Sequence, residues 1–443
     1  MKKILLLLIL SFAYSVGEAS AVFLLINPGA GPAGTGEAFV AKADDAYASF
    51  YNPAGLGFQS GTSLTGMHVS WLPNLADDLY YDFLAFKRNI GRGMGTIGGH
   101  IVFLNLGEQQ ATGDNQEDLG TFRSNMWALT GSYGTQTSKN GSIGVSFKIL
   151  QQNLAPFGAG TEESDGISTN FAFDIGLLKK WQRSNSSNYL PSINLGLSIS
   201  NIGPKVWFKD QAQADPLPTN MKLGIFANLF STKNNEINFL FDMNKLLVTR
   251  YQAMDWDGDG IVGSYDGDGL WSEDNMDGQN EWSHDDPWYK AIVTSWLDDW
   301  ALGGDIDYDL NTYIGGYSCN DDNGDGEYTE DLGEIVKTEE YQFGDEGYGA
   351  YNEDCVIEVG SDDDRTIAKE FREMIYNIGF EYWYAKSFVL RLGYIYDQEG
   401  KIMNPTIGAG VRLSRYGFDF GYTAGDQGHP RANTMFFSIN LDI

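Results

Sequence analysis

The sequence predicts an all-β protein: a 14-stranded antiparallel transmembrane β-barrel with an N-terminal lumenal plug and an acidic extracellular insert. Three observations predict it. Hydrophobicity alternates with period two through segments of about nine to eleven residues, the length a tilted membrane strand needs. Long polar connections alternate with short ones, as loops and turns do at the two ends of an outer-membrane barrel. The chain ends inside an alternating run, Met435, Phe437, Ile439, Leu441 and Ile443, so a last strand can pair with the first and leave no edge unpaired in lipid.

The elements follow in order. Lys2 and Lys3, the apolar run from Ile4 to Val16 and Ala19-Ser20-Ala21 read as a signal peptide over residues 1–21, cut before Val22. The run is short of the roughly 20 apolar residues of a membrane helix. Residues 22–61 come next, rich in Gly, Ala and Pro with no continuous apolar face. Glu37–Ala48 can form a short helix there, with too few apolar residues to fold alone. The expectation is a plug folded inside the barrel, with Gly36, Asn52, Pro53 and Gly55 as its fixed points.

Strands are expected over residues 62–251 (nine of them) and 369–443 (five). The clearest are Ile143, Val145, Phe147, Ile149 and Ile193, Leu195, Leu197, Ile199, separated by small or polar residues. A soluble sandwich shows the same alternation; the connections distinguish the two. Leu106–Phe122, Asn153–Gly166 and Ile202–Pro218 read as long polar loops, whereas Ala385-Lys386 and Ser414-Arg415 read as tight turns. With 54 glycines and 14% aromatic residues, the composition suits turns and interfacial aromatic girdles. The inward positions legible in the sequence are mostly Gly, Ser, Asn and charged residues, a poor lining for an apolar ligand.

The net charge of −31 is not spread evenly. Residues 255–365 hold 33 Asp and Glu against Lys290, Lys337 and Arg365, which leaves the remaining chain at −1. The insert, residues 252–368, is therefore an acidic module on a near-neutral body. Without clustered Lys and Arg, nucleic acid is not an expected partner. Inside the insert, Asp286 can cap a helix over 287–300 with Pro287 in its first position. Trp288, Ile292, Trp296 and Trp300 then share one face, which would pack on the barrel mouth or dock a partner.

Asp255, Asp257, Asp259, the Ile261 carbonyl and Asp266 fit positions 1, 3, 5, 7 and 12 of an EF-hand-like calcium loop, with Gly260 at the sharp turn. The twelve residues resemble dockerin-type loops. A second set, Asp321, Asn323, Asp325, Glu327 and Glu330, has its closing carboxylate early. The plain alternative is a solvated acidic linker; the expectation is structural Ca2+ that offsets the repulsion of such dense acids. Cys319 and Cys355, the only cysteines, would pair in an oxidising compartment. His68, His100, His284 and His429 share no metal spacing and no nucleophile motif is present, so catalysis is not expected. Asp174, Asp242, Glu381 and Asp419 are expected to bond inward-facing Lys148, Lys222, Arg391 and Arg412.

At this point the residues resemble a known family. GPAGTGEAFVAKADDAYASFYNPAGLG, from Gly31 to Gly57, is similar to the N-terminal segment of FadL-like outer-membrane proteins, and more specifically to the PorV/PorQ family of the type IX secretion system. Ser200-Asn-Ile-Gly-Pro-Lys205, Pro218–Gly224, Asp242–Val248, Ile378–Tyr384, Leu390–Tyr396 and Phe436–Ile443 continue the resemblance. It implies a FadL-like barrel in the outer membrane and a shuttle role. Such proteins receive cargo from the translocon, bind its C-terminal signal domain and deliver it to the surface attachment complex. Its alternative implication is a channel for hydrophobic compounds. The acidic pieces on either side of residues 287–300 exceed the family's usual loop.

Overall fold

A computed structural model describes residues 19–72, 76, 78–91, 93–112, 118–155, 166–181, 192–208, 214–251, 284–298, 308–309, 312–313, 317–319, 335–337, 367–398, 400–425 and 433–443. The chain divides into two units, one made of Met1–Leu246 with Glu373–Ile443, the other of Leu247–Arg372.

The first unit is a closed antiparallel barrel of fourteen strands. They are β1 (Thr62–Ser70), β2 (Tyr80–Asn89), β3 (Thr96–Thr112), β4 (Asp118–Ser138), β5 (Gly141–Ala155), β6 (Gly166–Trp181), β7 (Ser192–Ile202), β8 (Asn220–Ser231), β9 (Asn235–Leu246), β10 (Ile375–Tyr384), β11 (Phe388–Asp397), β12 (Ile402–Leu413), β13 (Tyr416–Thr423) and β14 (Thr434–Asp442). Each pairs with its neighbour in sequence, and β14 closes on β1 through Leu64↔Leu441 and His68↔Phe437. Closure of this kind satisfies every ladder without an edge.

The burial pattern is inverted relative to a soluble sheet. On β5, Ile143, Val145, Phe147 and Ile149 are 41–51% exposed, while Ser142, Ser146 and Lys148 are 3–4% exposed. β6 repeats this, with Phe171, Phe173, Ile175 and Leu177 outward and Ala172 and Asp174 buried. An apolar outer face over a polar inner one is stable only where lipid meets the outside. Tyr133, Trp181, Tyr382, Tyr384 and Tyr416 stand exposed near the end where the short turns lie, as an interfacial girdle does. Among the described residues no helix is long and apolar enough to cross a membrane; strands provide the crossing.

One expected loop is mostly strand. Within Leu106–Phe122, β3 and β4 continue to Thr112 and from Asp118, with Glu108 opposite Arg123. Past the apolar band the ladder still satisfies both backbones, so polar strands need no break there. The two-residue turn at Ser414-Arg415 forms as expected, and Ala385 and Lys386 adopt φ of 50° and 56°, the left-handed pair that suits a tight hairpin.

The expected helix over Glu37–Ala48 does not form. The segment holds α1 (Ala30–Gly34) and α2 (Ala48–Tyr51), with 3-10 turns at Val22–Leu25 and Pro53–Phe58. Glu37 and Ala43 take φ of 68° and 32°, which ends any right-handed helix. The N–H groups of Phe39 and Val40 go to the Asp242 carboxylate at 2.6 and 2.9 Å instead of to preceding carbonyls.

In the second unit, α3 spans Trp288–Thr294, shorter than expected, and its N-cap is Pro287 with no side-chain cap. Asp286 does not cap; it accepts from Lys290 Nζ at 2.7 Å and Thr294 Oγ1 at 2.8 Å, over the flank of the helix. Short strand pairs join Arg250–Tyr251 to His284–Asp285, Tyr308–Asp309 to Thr312–Tyr313 and Tyr317–Cys319 to Ile335–Lys337. A further helix, α4, covers Ile367–Arg372.

Candidate functional site

The barrel interior is the site with the most structure. Residues 19–59 touch inward-facing positions from β1 round to β14. Three kinds of contact hold them: backbone against glycine, buried charge, and an apolar core.

Asn52 sits at the first kind. Its Nδ2 donates to the Val40 carbonyl and to the Leu177 carbonyl of β6, both at 3.1 Å, and its Oδ1 accepts from Ala54 N–H. Pro53 then starts the 3-10 turn against β4 and β5, where Ser142 Oγ donates to the Ala54 carbonyl at 2.7 Å. Gly36, at φ +64°, lies on the opposite wall. Its N–H donates to Thr406 Oγ1 at 2.9 Å, and Asn377 Nδ2 donates to its carbonyl at 2.6 Å. Gly55 packs on Ala43, where a Cβ would meet the Ala43 carbonyl oxygen at 2.2 Å. The structure thus brings Gly36, Asn52, Pro53 and Gly55 into one framework.

Buried charge supplies the second kind. Arg391 bonds Glu381 at 3.0 Å and Asp419 at 2.7 Å, and Arg412 reaches Asp419 at 2.8 Å. Trp383 lies 5.8 and 5.6 Å from the two guanidinium carbons, a cation–π arrangement on one ring. From the segment, Lys42 joins Asp44 at 2.8 Å and approaches Glu381 at 3.9 Å. Burial alone would lower the Lys42 pKa; the carboxylates of Asp44, Glu381 and Asp45 outweigh it and hold the pKa above its usual value. Across the lumen, Lys148 bonds Asp174 at 3.2 Å and Asn201 Oδ1 at 2.5 Å. Lys222 donates to Asn27 Oδ1, and Asn27 Nδ2 donates to Glu37, both at 2.7 Å. The inward acids and bases pair largely as their positions suggest.

Asp242 has a role that pairing with a base does not describe, because it holds two backbone N–H groups of the segment. Asp242→Ala is expected to leave both donors buried and to cost about 2–4 kcal/mol, at roughly 1–3 kcal/mol for an unsatisfied group. Chemical denaturation in detergent checks this; a change within about 0.5 kcal/mol contradicts it.

The third contact corrects an expectation. The inner wall is not polar throughout: Met67, Val69, Tyr81, Phe83, Val102, Leu104 and Ala128 of β1 to β4 are buried with Phe23, Leu24, Phe39, Tyr47 and Tyr51 of the segment in one apolar cluster. Tyr47 stacks on Phe83 with centroids 5.2 Å apart. A signal for this existed. β2 reads Tyr80-Tyr81-Asp82-Phe83-Leu84-Ala85-Phe86, apolar on both faces, as in a strand buried on both sides.

The other expected site residues divide. Trp288, Ile292 and Trp296 lie in or just after α3, and Trp300 lies outside the described residues. Ala291 and Thr294 form the buried side, with Trp288, Tyr289 and Val293 exposed at 44%, 66% and 60%. The calcium candidates Asp255, Asp257, Asp259, Ile261 and Asp266, and Asp321, Asn323, Asp325, Glu327 and Glu330, lie outside the described residues. Cys319 ends a short strand, while Cys355 and residues 1–18 are also outside them.

The inverted, closed barrel defines an integral outer-membrane β-barrel. The family described as type IX secretion system protein PorV matches residues 15–253, more than half of the 443-residue chain. The chain belongs to this family. That family is one of a secretion system. No curated protein matches the sequence. Among solved structures, the Ralstonia pickettii toluene transporter TbuX is similar at 12% identity and TM-score 0.44, over 95% of this chain and 97% of that one. The Pseudomonas putida toluene transporter TodX is similar at 10% identity and TM-score 0.43, over 94% and 96%. A Pseudomonas aeruginosa FadL homologue is similar at 10% identity and TM-score 0.39, over 93% and 97%.

Proposed function

We propose that this chain is a PorV-type shuttle of type IX secretion, which binds the C-terminal signal domains of secreted cargo and passes them to the surface attachment complex. The family match over residues 15–253 carries this reading. Residues 19–59 act as a plug, so cargo is bound outside the lumen, by the loops at the end opposite the short turns. Those loops and the acidic insert face the cell exterior. There the exposed side of α3, with Trp288, Tyr289 and Val293, serves as a docking surface. Affinity purification from outer membranes tests the proposal. Proteins sharing a β-sandwich C-terminal domain, together with translocon and attachment components, are expected to co-purify. A preparation carrying bound lipid and no such partner contradicts it and favours the second reading, a channel for hydrophobic compounds. The apolar wall of β1 to β4 is the observation that favours that alternative.

Calcium bound by the loops at residues 255–266 and 321–331 folds the insert, and a Cys319–Cys355 bond would close the second loop. Titrating the full-length protein in detergent with CaCl2 is expected to give saturable heat that EDTA abolishes. Absence of heat contradicts metal binding.

A further inference from the structure

Six connections lie at one end of the barrel, after β2, β4, β6, β8, β10 and β12; five of them are short, and the one after β6, residues 182–191, lies outside the described residues. Each carries an exposed base in it or within three residues of it: Arg88, Lys139, Lys179, Lys233, Lys386 and Arg415. No ion pair among the described residues engages any of these six side chains. The same end carries the exposed aromatic residues Tyr133, Trp181, Tyr384 and Tyr416, and Lys179 Nζ lies 6.0 Å from the Trp181 ring. Exposed acids at this end are Asp44 and Asp442, with Asp45 and Glu236 half-buried, and they are not distributed from turn to turn.

We propose that these six bases form a collar that binds the phosphate groups of anionic phospholipids in the leaflet at the short-turn end. The distribution decides the occupant. A protein partner touches one sector of a cylinder, whereas one base per turn presents charge round the circumference, where only annular lipid can meet all of it. The height agrees, because the collar adjoins the aromatic girdle, the level at which headgroups sit. Lysine and arginine stems lie along apolar wall and carry the charge to the headgroup layer. Each base near an anionic surface adds an attraction that salt screens within about a Debye length.

The test uses the full-length protein in detergent with added phosphatidylglycerol or phosphatidylcholine, bound lipid being counted by native mass spectrometry. Wild type is expected to retain several phosphatidylglycerol molecules at about tenfold preference or more, weakened by salt. The variant Arg88→Gln, Lys139→Gln, Lys179→Gln, Lys233→Gln, Lys386→Gln, Arg415→Gln is expected to lose that preference while keeping the heat-modifiable migration of a folded barrel. If the sixfold variant does not fold, Lys139→Gln, Lys233→Gln, Lys386→Gln is expected to lose part of it. Arg123→Gln with Lys401→Gln, at the other end, is expected to leave it unchanged. Equal retention of both lipids by wild type, an unchanged preference in both collar variants, or an equal loss in the opposite-end variant would overturn the proposal.

Discussion

Adding a methyl group at Gly144 and at Gly393 is expected to expel the N-terminal segment from the barrel interior and leave the barrel folded. A Cβ on Gly144 would stand 2.1 Å from the Pro53 carbonyl carbon and 2.3 Å from Ala54 N. One on Gly393 would stand 2.1 Å from Gly36 N. Both obstacles are backbone of the segment, which cannot rotate aside as a side chain can. Neither glycine is chosen for its φ; each is needed because two backbones approach closely. Overpacking costs about 1–3 kcal/mol per site, and the sites lie on opposite walls, so the double variant Gly144→Ala, Gly393→Ala combines two independent penalties. The strands keep their ladders, since outward alternation and register are untouched. Hydrogen exchange of residues 30–58 in detergent is the readout. Protection is expected to fall by roughly tenfold or more per site, with strand amides unchanged; wild-type protection in the double variant would refute the packing described.

Arg391→Ala is expected to be the most destabilising single substitution in the barrel, at about 3–5 kcal/mol. The Arg391, Glu381 and Asp419 side chains are 2–4% exposed, and the guanidinium is the group that bonds both carboxylates. Removing it leaves two buried charges, with Arg412 still on one of them and Lys42 3.9 Å from the other. The penalty is desolvation without compensation; it does not measure the worth of the pair, so Arg391→Met with Glu381→Gln and Asp419→Asn is expected to recover most of it. Reversible unfolding in detergent by guanidinium checks both. Arg415→Ala, exposed in a turn, is the control and is expected to change stability by less than about 0.5 kcal/mol. Equal effects at 391 and 415 would contradict the network.

The outer wall was legible because lipid imposes a simple rule on it. Ile143 to Ile149 and Phe171 to Leu177 alternate without interruption, and most strands can be placed from such runs with boundaries off by a few residues, β3 excepted, which continues to Thr112. The last strand could also be read, since Phe437, Ile439 and Leu441 alternate with polar residues. The interior was less legible because its partners lie hundreds of residues away in sequence. That Asp242 would hold Phe39 and Val40 N–H, besides facing the charge of Lys222, has no local signal. The same long-range bonds defeated the helix expected over Glu37–Ala48. Local propensity allowed it, yet Glu37 and Ala43 are held in left-handed backbone by contacts with a wall the local sequence does not contain. Asp286 shows the failure at short range. It precedes Pro287 as a cap would, but Lys290 and Thr294 lie one and two turns on and compete for its oxygens. The apolar wall of β1 to β4 was missed for a different reason: doubly apolar strands such as Tyr80–Phe86 have no contrast between faces, so alternation says nothing about them.

If residues 19–59 fill the lumen, recognition is left to the outer surface. Planar-bilayer recording from the purified full-length protein tests it most directly. Wild type is expected to show no steady ion conductance, and the Gly144→Ala, Gly393→Ala variant is expected to show open-channel events. A stable, wide conductance in the wild-type protein would contradict it.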